Sequence, residues 1–328
     1  MDIKVLDSFQ SVPMDVGIKF VGTHNGIFHS DEVVACAILY LLDSEHTMFI
    51  RSRNRNVLAS CDICVDVGGG VFDHHQKGFT ACRKNGIKYA SAGLVWREYG
   101  KHLIEILGEK YFPGYEFSVR DVFDLFDHKE ISLVDCEDNG IDTNGKTHSF
   151  SFIPSFLPIW TESNYNEKFA DALTATVVVL EERLKTFISD EVARVVIREL
   201  WSDDSLFADN ILEIPSQTIN WVGPVIEINH LTPSDPILFV IFPYPDGGWA
   251  AQCVPPSLEN KFDQLVPFPK DWAGLTLELP EFSGVEGATF CHNGRFFAKA
   301  TTKEAIIALC KKAYEREAFY SQFEFQEE

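Results

Sequence analysis

No apolar stretch in this 328-residue chain reaches the roughly 20 residues that a helix needs to cross a bilayer, so nothing in it calls for a membrane. Basic residues are scarce. Lysine and arginine number 28 against 49 aspartates and glutamates, a net charge of −21. That field opposes a broad grip on a nucleic-acid backbone and confines any such contact to small basic patches. The first fifteen residues hold Asp2, Asp7 and Asp15 and no arginine, which resembles neither a secretory signal nor a mitochondrial transit peptide. An intracellular chain is expected, cytoplasmic, nuclear or both, with a mitochondrial location left open. The eight cysteines lack a disulfide framework, and Cys61 and Cys64 form a CxxC with no second pair to complete a zinc site. On one strand, residues three apart point to opposite faces, so these two read as reduced core thiols.

What is present is an unusual concentration of metal-binding side chains in the first quarter. Residues 22–32 read GTHNGIFHSDE, which sets His24, His29 and Asp31 at H-x4-H-x-D spacing. Residues 66–75 read DVGGGVFDHH and add Asp66, Asp73, His74 and His75. Carboxylate and imidazole in this density point to a metal site, and to two metals rather than one. A third acidic group follows at Asp135-Cys136-Glu137-Asp138-Asn139-Gly140. Asp135 and Asp138 are i, i+3 neighbours, so one helical face could present both, although Asn-Gly is also expected at any helix C-terminus. His46, His102, His128, His148 and His230 stand alone and carry no assigned role.

Hydrophobic residues make up 45% of the chain, enough for two cores. Val16–Gly22 has the texture of a strand, Ser30 that of an N-cap, and Val33–Leu42 that of a buried helix. His24, His29 and Asp31 then lie on a loop leaving a strand, at the carboxyl edge of a parallel sheet. Further strands are expected at Thr47–Ile50 and Asp62–Val67, and helices at Ser91–Leu107, Ser118–Val134, Asn166–Phe187 and Ser189–Trp201. From about Leu206 strands are expected at Ile211–Ile228, Ile237–Phe242 and Trp249–Val254, with a closing helix at Thr302–Tyr320. The fold class is therefore α/β. Residues 15–160 form a parallel-sheet domain with crossover helices, 161–205 a helical connector, and 206–328 a smaller α+β domain.

THNGIFHSDE, DVGG after a strand, DHHQ at Asp73–Gln76, SAGLV at Ser91–Val95 and D-x-x-DNG at Asp135–Gly140 together resemble the DHH phosphoesterases. Within them the chain is similar to the eukaryotic branch named after the melanocyte proliferating gene protein, the Myg-type exonucleases. QCVP at Gln252–Pro255, LVPFP with DWAGL at Asp271–Leu275, and FCHNGRF at Phe290–Phe296 extend the likeness through the second domain. It implies a two-metal phosphodiesterase, a 3′–5′ exonuclease on single-stranded RNA or short oligonucleotides, with Mn²⁺ or Mg²⁺ and metal-bound hydroxide as nucleophile. His24 and His29 would hold one ion and Asp31 and His74 the other. Asp66 would bridge them, and Asp138 or Asp135 would complete the set. His75 would face the substrate phosphate, Asp73 would orient a ligand histidine, and Ser91 would count among the substrate contacts. Leu157 stands where that branch shows asparagine, and the Asp66–Asp73 loop is shorter than in many relatives.

In the second domain Arg295, Phe297 and Lys299 alternate along a strand after the Asn293-Gly294 turn. Thr301-x-x-Glu304 follows as a capping box at a helix N-terminus, a natural anion site. Since the accessory domain of DHH enzymes holds the substrate, the resemblance makes His292, Arg295 and Lys299 phosphate contacts. Arg51 and Arg53, in RSRNR, share a strand face and supply the other basic patch. Two other readings stand beside the exonuclease. The acidic charge suits a phosphatase, pyrophosphatase or cyclic-dinucleotide phosphodiesterase with a small anionic substrate, and a metal-stabilised protein without catalysis is the other.

Overall fold

The computed structural model describes residues 3–9 and 17–324. They divide into two compact units, Met1–Glu191 and Val192–Glu328.

The first unit is built on a sheet of β1 (Val5–Leu6), β2 (Lys19–Thr23), β3 (Thr47–Arg51) and β4 (Ile63–Cys64). Their order is β1-β3-β2-β4 and every pairing is parallel. This is the α/β arrangement expected from the alternation of elements, with β2 narrower than Val16–Gly22; Val16 lies outside the described residues. Parallel neighbours need a crossover, and α1 (Ser30–Leu42) carries the chain from β2 to β3. Every residue from Ser30 to Tyr40 is buried, and from Val33 to Leu39 the helix is apolar all round. Its N-cap is His29 and not Ser30. His29 is extended at φ −121° and ψ 173°, and its backbone N–H donates to both Glu32 carboxylate oxygens at 3.0 and 2.9 Å.

After the short α2 (Arg55–Leu58) and β4 come α3 (Ser91–Tyr111), α4 (Val119–Phe126), a π-helical turn (Asp127–Ile131) and α5 (Ser132–Asp138). The single helix expected at Ser118–Val134 thus contains a π turn, which inserts one residue into the helical register. The buried positions Val122, Phe126, Ile131 and Val134 show it, because the spacing lengthens to five between Phe126 and Ile131. Trp96 fills the space beneath, stacked on Phe123 at 5.1 Å and against Phe126 at 5.0 Å.

α6 (Tyr165–Trp201) is one helix of 37 residues where two were expected. No glycine or proline interrupts it, and buried Leu184, Ile188 and Val192 keep a continuous i, i+4 face across the anticipated break. The boundary between the units falls inside it.

The second unit holds β5 (Phe207–Ala208), β6 (Ile211–Glu213), β7 (Phe239–Pro243), β8 (Trp249–Cys253), β9 (Ala288–Cys291) and β10 (Phe297–Ala300). The sheet order is β5-β6-β7-β8-β10-β9, with β6 and β7 parallel and the other pairs antiparallel. The strand expected over Ile211–Ile228 is instead β6 followed by α7 (Val222–Leu231). Its β-branched residues concealed a helical period, for Trp221, Val225 and Ile228 enter one core together. α8 (Leu279–Ser283) and α9 (Lys303–Glu324) complete the unit, and Ile306, Leu309 and Ala313 of α9 pack on Phe239, Ala251 and Trp272. The cap of α9 is Thr302, whose Oγ1 accepts the Ala305 N–H at 3.2 Å, one residue beyond the capping box read from sequence.

Candidate metal centre

Parallel register brings the carboxyl ends of β2 and β3 level, with Thr23 opposite Arg51 and Gly22 beside Cys64 of β4. The chain leaving β2 delivers His24 and, through the cap of α1, His29, Asp31 and Glu32. The chain leaving β4 delivers Asp66 and turns back through Gly68 and Gly69 to Asp73, His74 and His75. Asp66 adopts φ +60°, a left-handed conformation that aspartate tolerates better than most residues. Its N–H donates to Phe72 O at 3.0 Å, so the turn itself holds that backbone.

Three donor groups result, each with ligand atoms near enough to share an ion. They are His24, His29, Glu32 and Asp66; Asp66, His74 and His75; and Asp31, His74 and Asp138. Asp66 belongs to two of them and His74 to two, so the groups are one connected cluster. His24 Nε2 lies 3.0 Å from Glu32 Oε1 and 3.2 Å from Asp66 Oδ2. His74 Nε2 lies 3.1 Å from Asp138 Oδ2, and His75 Nδ1 3.1 Å from Asp66 Oδ1. The two rings of His74 and His75 stack at 4.1 Å. A cavity of about 760 Å³ opens over the cluster, lined by all these residues except Glu32 and also by Arg53, Asp73 and Glu137.

Crowded carboxylates give the site its electrostatics. Burial, together with the charges of Asp66 and Asp138, pushes the Asp31 carboxyl well above the usual range. Burial alone would lower His24, but hydrogen bonds to Asp66 and Glu32 outweigh it and raise the ring to about 9. His74 is likewise raised by its bond to Asp138, against the effect of burial. These imidazoles hold protons because the acids around them lack positive charge. Divalent cations would supply that charge.

SAGLV acquires a physical role here. Ser91 and Ala92 open α3, and their N–H groups donate to the two oxygens of Asp31 at 2.9 and 2.6 Å. Gly93 N–H donates to Asp135 Oδ1 at 3.0 Å. A side chain at Gly93 would run into the Asp135 carboxylate, so only glycine fits. A helix N-terminus thus holds two acids from α1 and α5. Ser91 itself is buried, with its Oγ 3.3 Å from Asp66 Oδ1 and 3.4 Å from His74 Nδ1, so it touches the donors and not the cavity.

The remaining expected residues occupy distinct settings. Asp73 accepts the N–H groups of Gly69 at 2.8 Å and His75 at 3.0 Å and so fixes the histidine turn. Asp135 lies outside the three donor groups, bound by Arg83 Nη1 at 2.5 Å. Arg51 is 1% exposed and does not line the cavity. Its guanidinium donates to Gly26 O at 2.8 Å and to Asn166 Oδ1 at 3.1 Å, between the rings of Phe28 and Phe169. In the second unit Arg295 sits in the hairpin turn at φ +59° and donates to Phe268 O at 3.2 Å, so it does not share the strand face of Phe297. Lys299 pairs with Asp246 and lies 4.2 Å from the centre of the Tyr244 ring. His292 is exposed, and its Nδ1 accepts the Gly294 N–H at 2.9 Å.

Sequence reasoning passed over Glu32, Glu137 and His148. Glu32 is fully buried among the donors; an acid heading a wholly apolar helix was the available signal. His148 Nε2 lies 2.6 Å from Glu137 Oε2, a pairing across eleven residues that no spacing announces.

Residues 20–314 match the family MYG1_exonuc, described as an uncharacterised protein family, UPF0160. The MYG1 exonuclease of Mus musculus is 31% identical over 324 residues, covering 89% of this chain and 83% of its own length. The MYG1 exonuclease of Homo sapiens is 29% identical, with 92% and 87% covered. The MYG1 protein of Chlamydia trachomatis is 30% identical over 299 residues, with 88% and 93% covered.

Proposed function

The chain belongs to the MYG1 exonuclease family, and from that premise we propose that it is a two-metal phosphodiesterase removing nucleotides from the 3′ end of single-stranded RNA or short oligonucleotides. One observation carries the reading. Asp66 is common to the group with His24, His29 and Glu32 and to the group with His74 and His75, which is the arrangement a carboxylate bridging two ions requires. Bound there, two divalent cations would supply Lewis-acid activation of water and neutralise the charge that builds on phosphorus oxygens. His24, His29, Glu32, Asp66, Asp31, His74 and Asp138 would hold them. Asp31 is oriented by the first turn of α3, so its oxygens face the cluster in one fixed direction. His75, more exposed than His74, is free to donate a hydrogen bond to the substrate phosphate. Arg53 on the cavity wall would take a non-bridging oxygen.

The reading is tested by hydrolysis of end-labelled oligonucleotides with Mn²⁺, Mg²⁺ or EDTA. Metal-dependent release of 3′ nucleotides is expected, with about two Mn²⁺ bound per chain. No metal-dependent cleavage of any phosphodiester would sink it. A small phosphate ester as substrate is the second reading, favoured because Arg53 is the one arginine or lysine among the described residues that line the cavity. Salt separates the two. Several backbone contacts make binding fall steeply with salt, whereas a single anion site gives a shallow dependence.

Protonation adds a further expected outcome. His24, raised to about 9 in the metal-free chain, must lose its proton to become a ligand. Mn²⁺ binding near neutral pH therefore releases protons, and apparent affinity climbs as pH rises from about 7 to 9. Stability of the metal-free chain moves the other way. A ring raised from 6.5 to about 9 contributes fully below 6.5, and its contribution fades as pH rises through 9. Calorimetric titration in two buffers of different ionisation heat measures the protons released; a count of zero at pH 7 would contradict the assignment of His24.

A further inference from the structure

The CxxC that remains outside the metal chemistry is not two thiols on opposite faces of a strand. Only Cys64 belongs to β4; Cys61 lies in the turn that follows α2, where its N–H donates to Leu58 O at 3.0 Å. That turn folds Cys61 back over Cys64. A methyl group built on Gly22 would lie 3.0 Å from both sulfurs, so the two Sγ atoms converge on one point above β2. Each thiol has a backbone acceptor, Val57 O at 3.6 Å for Cys61 and Leu58 O at 3.4 Å for Cys64. Both are free and half-buried, open to a small oxidant. Of the other six cysteines, five are buried and Cys82 is exposed.

We infer that Cys61 and Cys64 form an oxidisable dithiol, closed by peroxide to an intrachain disulfide directly behind the metal centre. One thiolate attacks a peroxide oxygen: an S–O bond forms, the O–O bond breaks, and hydroxide leaves and takes up a proton. The second sulfur then displaces the hydroxyl from the first, forming the S–S bond and releasing water. Two electrons pass from the sulfurs to the peroxide, and two waters result. A thiol reductant such as glutathione returns the pair to its starting state.

Position gives this chemistry its consequence. Gly22 lies two residues before His24, and Cys64 two residues before Asp66. A methyl group at Gly68, two residues after Asp66, would touch Cys64 Cβ at 3.7 Å. An S–S bond of about 2 Å needs the sulfurs nearer than two non-bonded thiols stand, so closure draws the Ala59–Asp62 turn and β4 together. The displaced strand is the one whose outgoing chain delivers Asp66. Oxidation therefore weakens metal binding, a link that rests on the metal-centre reading proposed above.

The test treats the full chain with hydrogen peroxide, alkylates the remaining thiols and maps the peptides. One Cys61–Cys64 disulfide per chain is expected, reversed by dithiothreitol and absent from Cys61→Ser and Cys64→Ser. Manganese titration of the reduced and oxidised chains should show about tenfold weaker binding after oxidation, the lower end of what disturbing the groups behind metal ligands costs. Neither serine variant should show that shift. Cys61 and Cys64 remaining alkylatable at a peroxide dose that consumes exposed Cys82 would overturn the dithiol. A disulfide that leaves the manganese titration unchanged would overturn its link to the metals. Failure of the reduced chain to bind manganese would instead remove the metal-centre reading, while the peptide map still decides the dithiol.

Discussion

Asp66→Asn is expected to abolish phosphodiesterase activity while leaving the fold intact. Asparagine matches aspartate in size and shares its tolerance of left-handed backbone, so the turn at φ +60° survives the change. The ligand does not. An amide has no charge to share between two cations, and both donor groups that contain Asp66 lose it at once. The fall should reach at least about 10²–10³-fold, the loss seen when one preorganised stabiliser of transition-state charge is removed. Metal content measured on the purified variant should drop with activity, while circular dichroism of the metal-free chains should match. His74→Ala should behave similarly, and His102→Ala should do nothing, because that exposed ring lies beside Glu105 and not at the donor cluster. An Asp66→Asn variant with full metal content and full activity would refute the bridging role and the site built on it.

Arg83→Met should strongly destabilise the first unit. Arg83 is 8% exposed and forks onto Asp127 through Nε at 2.8 Å and Nη2 at 2.7 Å, while Nη1 reaches Asp135. Asp135 has no exposure at all, and burial already raises its carboxyl to about 7 although Arg83 pulls it down. Methionine keeps the aliphatic volume but strands both acids. Breaking a buried pair from one side costs about 3–5 kcal/mol. In a unit of this size that lowers the melting temperature by about 10 °C, measurable by scanning calorimetry. The sign with pH follows from Asp135. An acid raised above its unfolded value near 3.8 binds its proton more tightly when folded, so the deficit deepens as pH rises through 7 and eases toward pH 5. Adding Asp135→Asn should recover part of the loss. Equal stability of Arg83→Met and the parent chain at pH 8 would show that the triad contributes nothing.

Much of the candidate site was legible because its parts are local. His24 to Asp31 and Asp66 to His75 each lie within ten residues, and the strand-to-helix texture around them fixed the edge of the sheet. What the sequence could not decide was rotation. Asp135 and Asp138 share a motif, yet Asp138 faces His74 and Asp135 faces Arg83, a residue 52 positions earlier. Charge alone was similarly ambiguous for arginine. Arg51 looked like half of a basic patch, but its head is consumed by backbone carbonyls and two aromatic rings, and only Arg53 reaches the cavity. Composition misled in α7, where Val225, Ile226 and Ile228 have strand propensity and tertiary packing chose helix. Propensity gave no warning of the π turn either, since the turn changes only the phase between buried Phe126 and buried Ile131.

That turn works as a phase setting. Each α-helical residue advances the chain by about 100°, so deleting one residue from Asp127–Ile131 would rotate everything after it by that angle. Asp135 would swing off the first turn of α3 and Asp138 off His74 together, though neither had been altered. A site assembled from three distant segments therefore depends on an odd count of residues in a helix that contributes no ligand. Substitution at the exposed positions of α4 is absorbed, whereas a change in length there cannot be.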